Sequence, residues 1–203
     1  MAGVSLMTGG KGKSERCSRD FYPTPDISTK SLLESGYLDN NLYEVLEPCA
    51  GKNNIGKLVK QYHKNCEVKA VDLYDYGEPS VESGIDFLQW KPNKKYDWVI
   101  TNPPYDSKLL IPFVEKSLAV AEIGVAMSLK ITFLESIKRY DFFTSNMMLK
   151  NVLVFSNRQP MYKNGINTGT SNAICYAWFI WRKDYVGQPT IDWLRNDKNY
   201  TGD

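Results

Sequence analysis

From residue 42 onward, short apolar runs alternate with longer amphipathic ones. "LYEVLE" (42–47), "EVKAVDLY" (67–74), "YDWVIT" (96–101) and "GVAMSL" (124–129) have the length and β-branched content of buried strands. Between them, "NIGKLVKQY" (54–62), "LLIPFVEKSLAVAE" (109–122) and "TFLESIKRYDFFT" (132–144) place apolar residues at helical intervals. Strand and helix in alternation predict an α/β domain, doubly wound, with a mostly parallel sheet covered on both faces. Ahead of it, Ile27, Leu32, Leu33 and Leu38 predict a helix over 26–35 with Asp26 as its cap and Gly36 interrupting late. Toward the end, "MLKNVLVF" (148–155) and "AICYAWFIW" (173–181) are strand-like and predict a C-terminal antiparallel hairpin. Their connection, 156–172, is longer than an ordinary hairpin loop, and loops of that length are usually functional or disordered. The last twenty residues, with "TIDWLR", read as a surface helix or a loose tail.

A chain of 203 residues is enough for one packed domain and short for two. The expected division is a flexible basic leader at 1–19, one domain over 20–182 and a tail over 183–203, with no separate target-recognition domain. No apolar run approaches the roughly 20 residues that span a bilayer, and the N-terminus lacks a signal-peptide pattern, so a soluble intracellular protein is expected. Cys17, Cys49, Cys66 and Cys175 show no CxxC spacing and His63 is the only histidine. Neither a metal site nor a disulfide framework is expected, and a nucleophilic triad would have to use His63, which beside Lys64 reads as a solvated helix end. The net charge of +2 says little about partners. In the leader, Lys11, Lys13, Arg16 and Arg19 surround the single acid Glu15, which suits either a solvated arm or a phosphate-contacting one.

In an open α/β sheet a ligand sits outside the carboxyl ends of the strands, so the residue after each strand is where chemistry is sought. The first strand ends in Glu47-Pro48-Cys49-Ala50-Gly51-Lys52-Asn53-Asn54, a small-residue turn that opens a helix and lets a ligand approach the backbone. It is not a phosphate cradle of the GxGxxG kind. About twenty residues on, Asp72 ends the second strand, where a carboxylate can accept both hydroxyls of a ribose; the alternative is a cap for its own turn. Asp86 precedes Phe87 where an acceptor for an adenine amine and a wall for its ring would lie, or equally where a turn and a buried ring would lie.

The fourth end is more specific. Asn102-Pro103-Pro104-Tyr105 directly follows "YDWVIT", and with ordinary residue usage that quartet arises at about a few positions per million. The structural alternative is a rigid proline turn. The chemical reading starts from an aromatic amine, whose nitrogen lone pair is delocalised and attacks a methyl sulfonium only when turned out of the ring plane. Two acceptors on its two N–H bonds achieve that. The Asn102 side-chain carbonyl and the Pro103 backbone carbonyl, stiffened by proline, offer both, and Tyr105 offers a ring on which the base stacks, worth roughly 1–3 kcal/mol.

In this order, "DFYPTP", "EPCAGKNNIG", Asp72 and "NPPY" resemble the S-adenosylmethionine-dependent N6-adenine DNA methyltransferases of the small type often carried by phages. The resemblance covers residues 20 to about 182 and implies a Rossmann-like class I methyltransferase fold with a seven-stranded sheet. It implies that Tyr22 and Thr24 hold the methionine end of S-adenosylmethionine. Glu47, Cys49, Ala50, Gly51 and Asn54 would form the cofactor turn, Asp72 and Leu73 the ribose edge, and Asp86 and Phe87 the adenine contacts. Asn102, Pro103, Pro104 and Tyr105 would then be the catalytic motif. Lys52 and Asn53 depart from the pattern, standing where an acid and a second glycine are common. The implied product is S-adenosylhomocysteine and the implied substrate DNA, in the cytoplasm of a bacterial or phage-infected cell. Target contact would come from the 156–172 loop through Arg158, Tyr162 and Lys163, from the leader, from a second copy in a homodimer, or from an auxiliary protein. RNA is the alternative substrate, a protein glutamine a weaker one, and a non-catalytic cofactor-binding module the different-class alternative.

Overall fold

The structure, a computed structural model, describes residues 22–40, 42–145, 148–159, 161 and 174–196. In chain order these form α1 (Asp26–Leu33), β1 (Glu44–Glu47), α2 (Asn54–Tyr62), β2 (Glu67–Asp72), β3 (Glu82–Ser83), β4 (Tyr96–Thr101), α3 (Leu110–Val120), β5 (Ala121–Lys130), α4 (Ile137–Ser145), β6 (Leu149–Phe155), β7 (Tyr176–Arg182) and β8 (Thr190–Leu194). One sheet takes all eight strands in the order β3-β2-β1-β4-β5-β7-β6-β8. β7 is antiparallel to both its neighbours, and the other pairings are parallel. This is the doubly wound, mostly parallel sheet with a C-terminal antiparallel hairpin that the apolar pattern predicts.

Both faces of the sheet are buried, and β7 shows why its run of aromatics is continuous. Tyr176, Trp178 and Ile180 point to the side of α1 and α2, joining Leu32, Ile55, Val59 and Trp98. Ala177, Phe179 and Trp181 point to the other side, joining Phe113, Val114 and Leu118 of α3. Alternation with period two sorts neighbours to opposite faces, and helices on both faces bury both sets. Gly124 lets β5 pass between two of these layers. A Cβ there would stand 2.6 Å from the Trp181 carbonyl and 2.8 Å from the Trp98 ring.

Several boundaries differ from expectation. Asp26 lies in the first turn of α1 and makes no capping hydrogen bond; Pro25 is the cap residue, and the acid is suited to the positive helix end instead. β5 begins at Ala121, directly after α3, because Ala121 pairs with Tyr96 of β4 rather than prolonging the helix. The expected helix over 132–144 is broken: a 3-10 turn at Ile131–Leu134 drops Phe133 into the core, and α4 starts only at Ile137 with none of its residues fully buried. Phe142 and Phe143 anchor α4 by packing edge-on to Phe133, with centroids 6.3 and 5.4 Å away.

The largest correction concerns "TIDWLR", which forms neither a surface helix nor a loose tail. Thr190–Leu194 is an edge strand in register with β6, Phe155 opposite Leu194, and Tyr37 donates its hydroxyl to Asp192. Thr190, Ile191 and Trp193 suit a strand, while only Leu194 of the five is buried. With the two-residue β3, this strand makes eight where seven were expected. No helix among the described residues is long and apolar enough to cross a membrane.

Candidate active site

The parallel strands β1, β2 and β4 deliver their last residues, Glu47, Asp72 and Thr101, to one edge of the sheet. The turn after β1 is built on that edge by two residues in the left-handed region, Gly51 at φ 55° and Asn53 at φ 59°. Asparagine is among the few side-chain-bearing residues that tolerate this conformation. Asn53 therefore preserves the turn at a position where the resemblance expects glycine. Its amide also donates to Ser80 Oγ at 2.8 Å.

Two carboxylates hold the turn. Asp72 Oδ2 accepts the Gly51 N–H at 2.8 Å, and Oδ1 accepts the Tyr74 N–H at 2.8 Å. Of the two readings of Asp72, the turn cap is the one these bonds display, and the same carboxylate also ties that turn to the glycine loop. Burial raises its pKa, and the backbone donors at Tyr74, Gly51 and Leu73 work in the opposite direction. Glu47, 2% exposed, accepts the Gly56 N–H at 2.9 Å. Burial pushes its carboxyl well above 4.5 against that hydrogen bond, and the Asp72 charge pushes it further.

Gly56 was not among the residues the sequence singled out. A Cβ on it would meet Asn53 Oδ1 at 2.1 Å, Val68 Cγ1 at 2.9 Å and Glu47 Oε2 at 3.1 Å, so only glycine lets α2 sit against β1 and the turn. The available signal was a glycine inside a helical pattern, which costs about 1 kcal/mol against alanine and so points to close packing. Cys49 packs against the core, and burial with the nearby Asp72 and Glu47 charges holds it as a thiol. Asn54 opens α2, Ala50 is buried, and Leu73 exposes 49% of its surface beside Asp72.

Asp86 and Phe87 behave differently from a ligand pair. Asp86 is exposed, and its Oδ1 accepts the Leu88 N–H at 3.0 Å, closing a turn. Phe87 is 2% exposed and packs on Phe113 at 5.4 Å, so its ring belongs to the core and offers almost no free wall. The turn and buried ring are what the structure displays.

After β4 the chain runs Asn102-Pro103-Pro104-Tyr105. Asn102 Nδ2 donates to the Tyr22 carbonyl at 3.2 Å, so the N-terminal segment fixes the amide and directs Oδ1 the other way. Oδ1 accepts the Tyr105 hydroxyl. Pro103 is buried, Pro104 exposed, and the Pro103 carbonyl receives no hydrogen bond from the described residues. The Tyr105 ring is partly buried and lies 5.5 Å from the Tyr176 ring, tilted by 46°. Burial raises its phenol well above 10, so the hydroxyl remains a donor. The expected stacking platform is therefore itself packed and hydrogen-bonded to the expected acceptor.

Thr24 is buried and Tyr22 packs against the α1–α2 side of the sheet. Arg158 is exposed beyond β6, which runs parallel to β4 and ends on the same edge. Tyr162 and Lys163, with the leader and most of the 156–172 loop, lie outside the described residues. His63 caps the far end of α2, opposite the Asn102 edge, and partial burial lowers its pKa.

No protein-family model matches the sequence, and no curated protein matches it. Solved structures match its fold. The methyltransferase subunit of a type I restriction-modification system from Streptococcus thermophilus aligns with TM-score 0.59 and 13% identity over 90% of this chain and 49% of that one. A protein from Pyrococcus horikoshii assigned as an RNA methyltransferase aligns with TM-score 0.59 and 17% identity over 82% and 87%. Magnesium protoporphyrin IX methyltransferase from Synechocystis, solved with S-adenosylmethionine bound, aligns with TM-score 0.50 and 12% identity over 77% and 78%. The chain thus spans about half the length of the restriction-modification subunits it matches. At these identities the likeness is one of fold, the Rossmann-like sheet of methyltransferases.

Proposed function

We propose that the chain transfers a methyl group from S-adenosylmethionine to the N6 amine of adenine in DNA. The observation that carries this reading is the Asn102 amide. It is held by the Tyr22 carbonyl, while Oδ1 accepts the Tyr105 hydroxyl and keeps a second lone pair, and the adjoining Pro103 carbonyl receives no donor from the described residues. Two acceptors on one rigid segment suit the two N–H bonds of an amine whose lone pair must be turned out of conjugation. The same sheet edge suits the cofactor: Gly51 permits close backbone approach, the Asp72 carboxylate retains acceptor capacity for ribose hydroxyls, and exposed Leu73 offers an apolar wall.

S-adenosylmethionine, when bound, supplies an electrophilic methyl on sulfur and leaves as S-adenosylhomocysteine. In this reading Asn102 and Pro103 accept from the target amine and Tyr105 stacks on its base. Tyr22 and Thr24 border the methionine end, and Glu47, Cys49, Ala50 and Asn54 shape the turn. As the N6 lone pair forms the new N–C bond, one N6 proton is lost to water. No side chain has to act as a covalent nucleophile, which agrees with a thiol at Cys49 kept protonated. DNA is favoured by the restriction-modification neighbour; the Pyrococcus horikoshii neighbour, matched over 87% of its length, supports RNA as the second reading. In duplex DNA the adenine would have to leave the stack, and Arg158, Tyr162 and Lys163 are the residues we assign to target contact. Radiolabelled methyl transfer to adenine-containing DNA, RNA and protein, run in parallel, tests the reading. Label in DNA supports it, and label in protein alone overturns it.

A further inference from the structure

The target side of this edge holds a cation that the reaction above does not use. Lys130 is the last residue of β5, in register with Tyr176 of β7, so period two puts both on the face that carries Tyr105. Its ammonium lies over the Tyr105 ring, 5.2 Å from the centroid. Lys130 is partly exposed and is in none of the ion pairs formed among the described residues. Elsewhere Lys57, Lys69, Lys94 and Lys95 each face a glutamate, at Glu78, Glu82, Glu44 and Glu122. The two groups a target base needs are thus each covered by the chain itself, Asn102 Oδ1 by the Tyr105 hydroxyl and the Tyr105 ring by Lys130.

A base that stacks on Tyr105 must displace the ammonium. A cation over a partly exposed ring and a base stacked on that ring are of comparable strength, so the exchange is close to even by itself. It becomes favourable when the displaced ammonium gains a new anionic partner. We propose that Lys130 is a target-binding residue: its ammonium covers the Tyr105 ring until a nucleotide arrives, then moves onto a phosphate flanking the stacked base. This rests on the reading of Asn102 and Tyr105 given above and deepens it. The site then takes an adenine within a phosphodiester strand, in preference to a free nucleoside or a glutamine side chain, neither of which offers the anion.

The test is binding of an adenine-containing single-stranded oligonucleotide, by fluorescence anisotropy across a salt series, to the full chain, Lys130→Gln and Lys130→Arg. One lost phosphate contact on a single strand lowers the slope of log affinity against log salt by about 0.7, which is about an eightfold loss at about 0.05 M salt. Lys130→Gln should show that change, Lys130→Arg should restore it, and neither should alter S-adenosylmethionine affinity by calorimetry. Adenosine, lacking the phosphate, should bind Lys130→Gln at least as tightly as the unsubstituted chain, because no ammonium has to leave the ring. An unchanged slope in Lys130→Gln, an equal loss for adenosine, or no oligonucleotide binding by the unsubstituted chain overturns the proposal. Because the readout is binding, a salt-slope change without any methyl transfer would sink the catalytic reading while leaving Lys130 in its role.

Discussion

Asp72→Ala separates a carboxylate that only meets a ligand from one that also builds the site. Removing it leaves the Gly51 and Tyr74 N–H groups without their acceptor. A buried donor left unpaired costs about 1–3 kcal/mol; Gly51 is buried, whereas Tyr74 is half-buried and water can reach it, so the two together cost about 2–4 kcal/mol. Part of this is offset because the variant no longer buries a charge, and the raised pKa of Asp72 shows that this charge is disfavoured. With that offset about 1–3 kcal/mol remains, and for a chain of this size each kcal/mol moves the thermal midpoint by about 2–4 °C, so a fall of roughly 2–12 °C is expected. The glycine turn loses its tie to β2 at the same time, and S-adenosylmethionine binding should fall by more than the ribose contact alone explains. Differential scanning fluorimetry with and without S-adenosylmethionine, beside calorimetric titration, measures both effects. An Asp72→Ala chain that melts with the unsubstituted one, or that binds the cofactor undiminished, would refute this account of the turn.

Two further outcomes follow from the geometry. Glu47 has a folded-state pKa raised above 4.5, so its contribution to stability is full below 4.5 and is lost as pH rises through the raised value. Glu47→Gln keeps an acceptor for Gly56 but cannot ionise; urea midpoints should move in its favour as pH rises toward neutrality, and parallel pH curves would contradict the assignment. Gly124→Ala brings a Cβ within 2.6 Å of a backbone carbonyl and 2.8 Å of the fully buried Trp98 ring, so overpacking of about 1–3 kcal/mol should appear in denaturant unfolding. An unchanged midpoint would mean that β5 can move away from β7.

The parts of the fold legible in sequence are those where periodicity and burial agree. α2 runs over Asn54–Tyr62 as its apolar spacing requires, and β4, β6 and β7 carry runs that only a sheet buried on both faces accommodates. β8 was hidden because it is short, lies at an edge and leaves Ile191 and Trp193 exposed, so no two-sided pattern marks it. The sequence overstates α4 because Phe133, Ile137 and Tyr140 keep an i, i+4, i+7 spacing across the break, whereas Ile137 and Tyr140 are exposed and it is Phe142 and Phe143 that pack on Phe133. Within the site, the strand ends were legible because chain direction alone brings Glu47, Asp72 and Asn102 to one edge. The contacts between them were not. That Tyr22 would hold Asn102 by a backbone carbonyl, that Phe87 would turn inward, and that Asn53 would take a left-handed conformation all depend on tertiary packing.

Methyl transfer by the unsubstituted chain and by Asn102→Ala, with nucleosides from the reacted DNA resolved by mass spectrometry, tests the central claim most directly. Asn102 acts on the target amine, and among the described residues its amide hydrogen-bonds to Tyr22 and Tyr105. The expected result is N6-methyladenine from the unsubstituted chain and none from Asn102→Ala, with both binding S-adenosylmethionine alike by calorimetry. N6-methyladenine formed equally by both chains, or an unsubstituted chain that binds the cofactor and methylates no adenine, would contradict it.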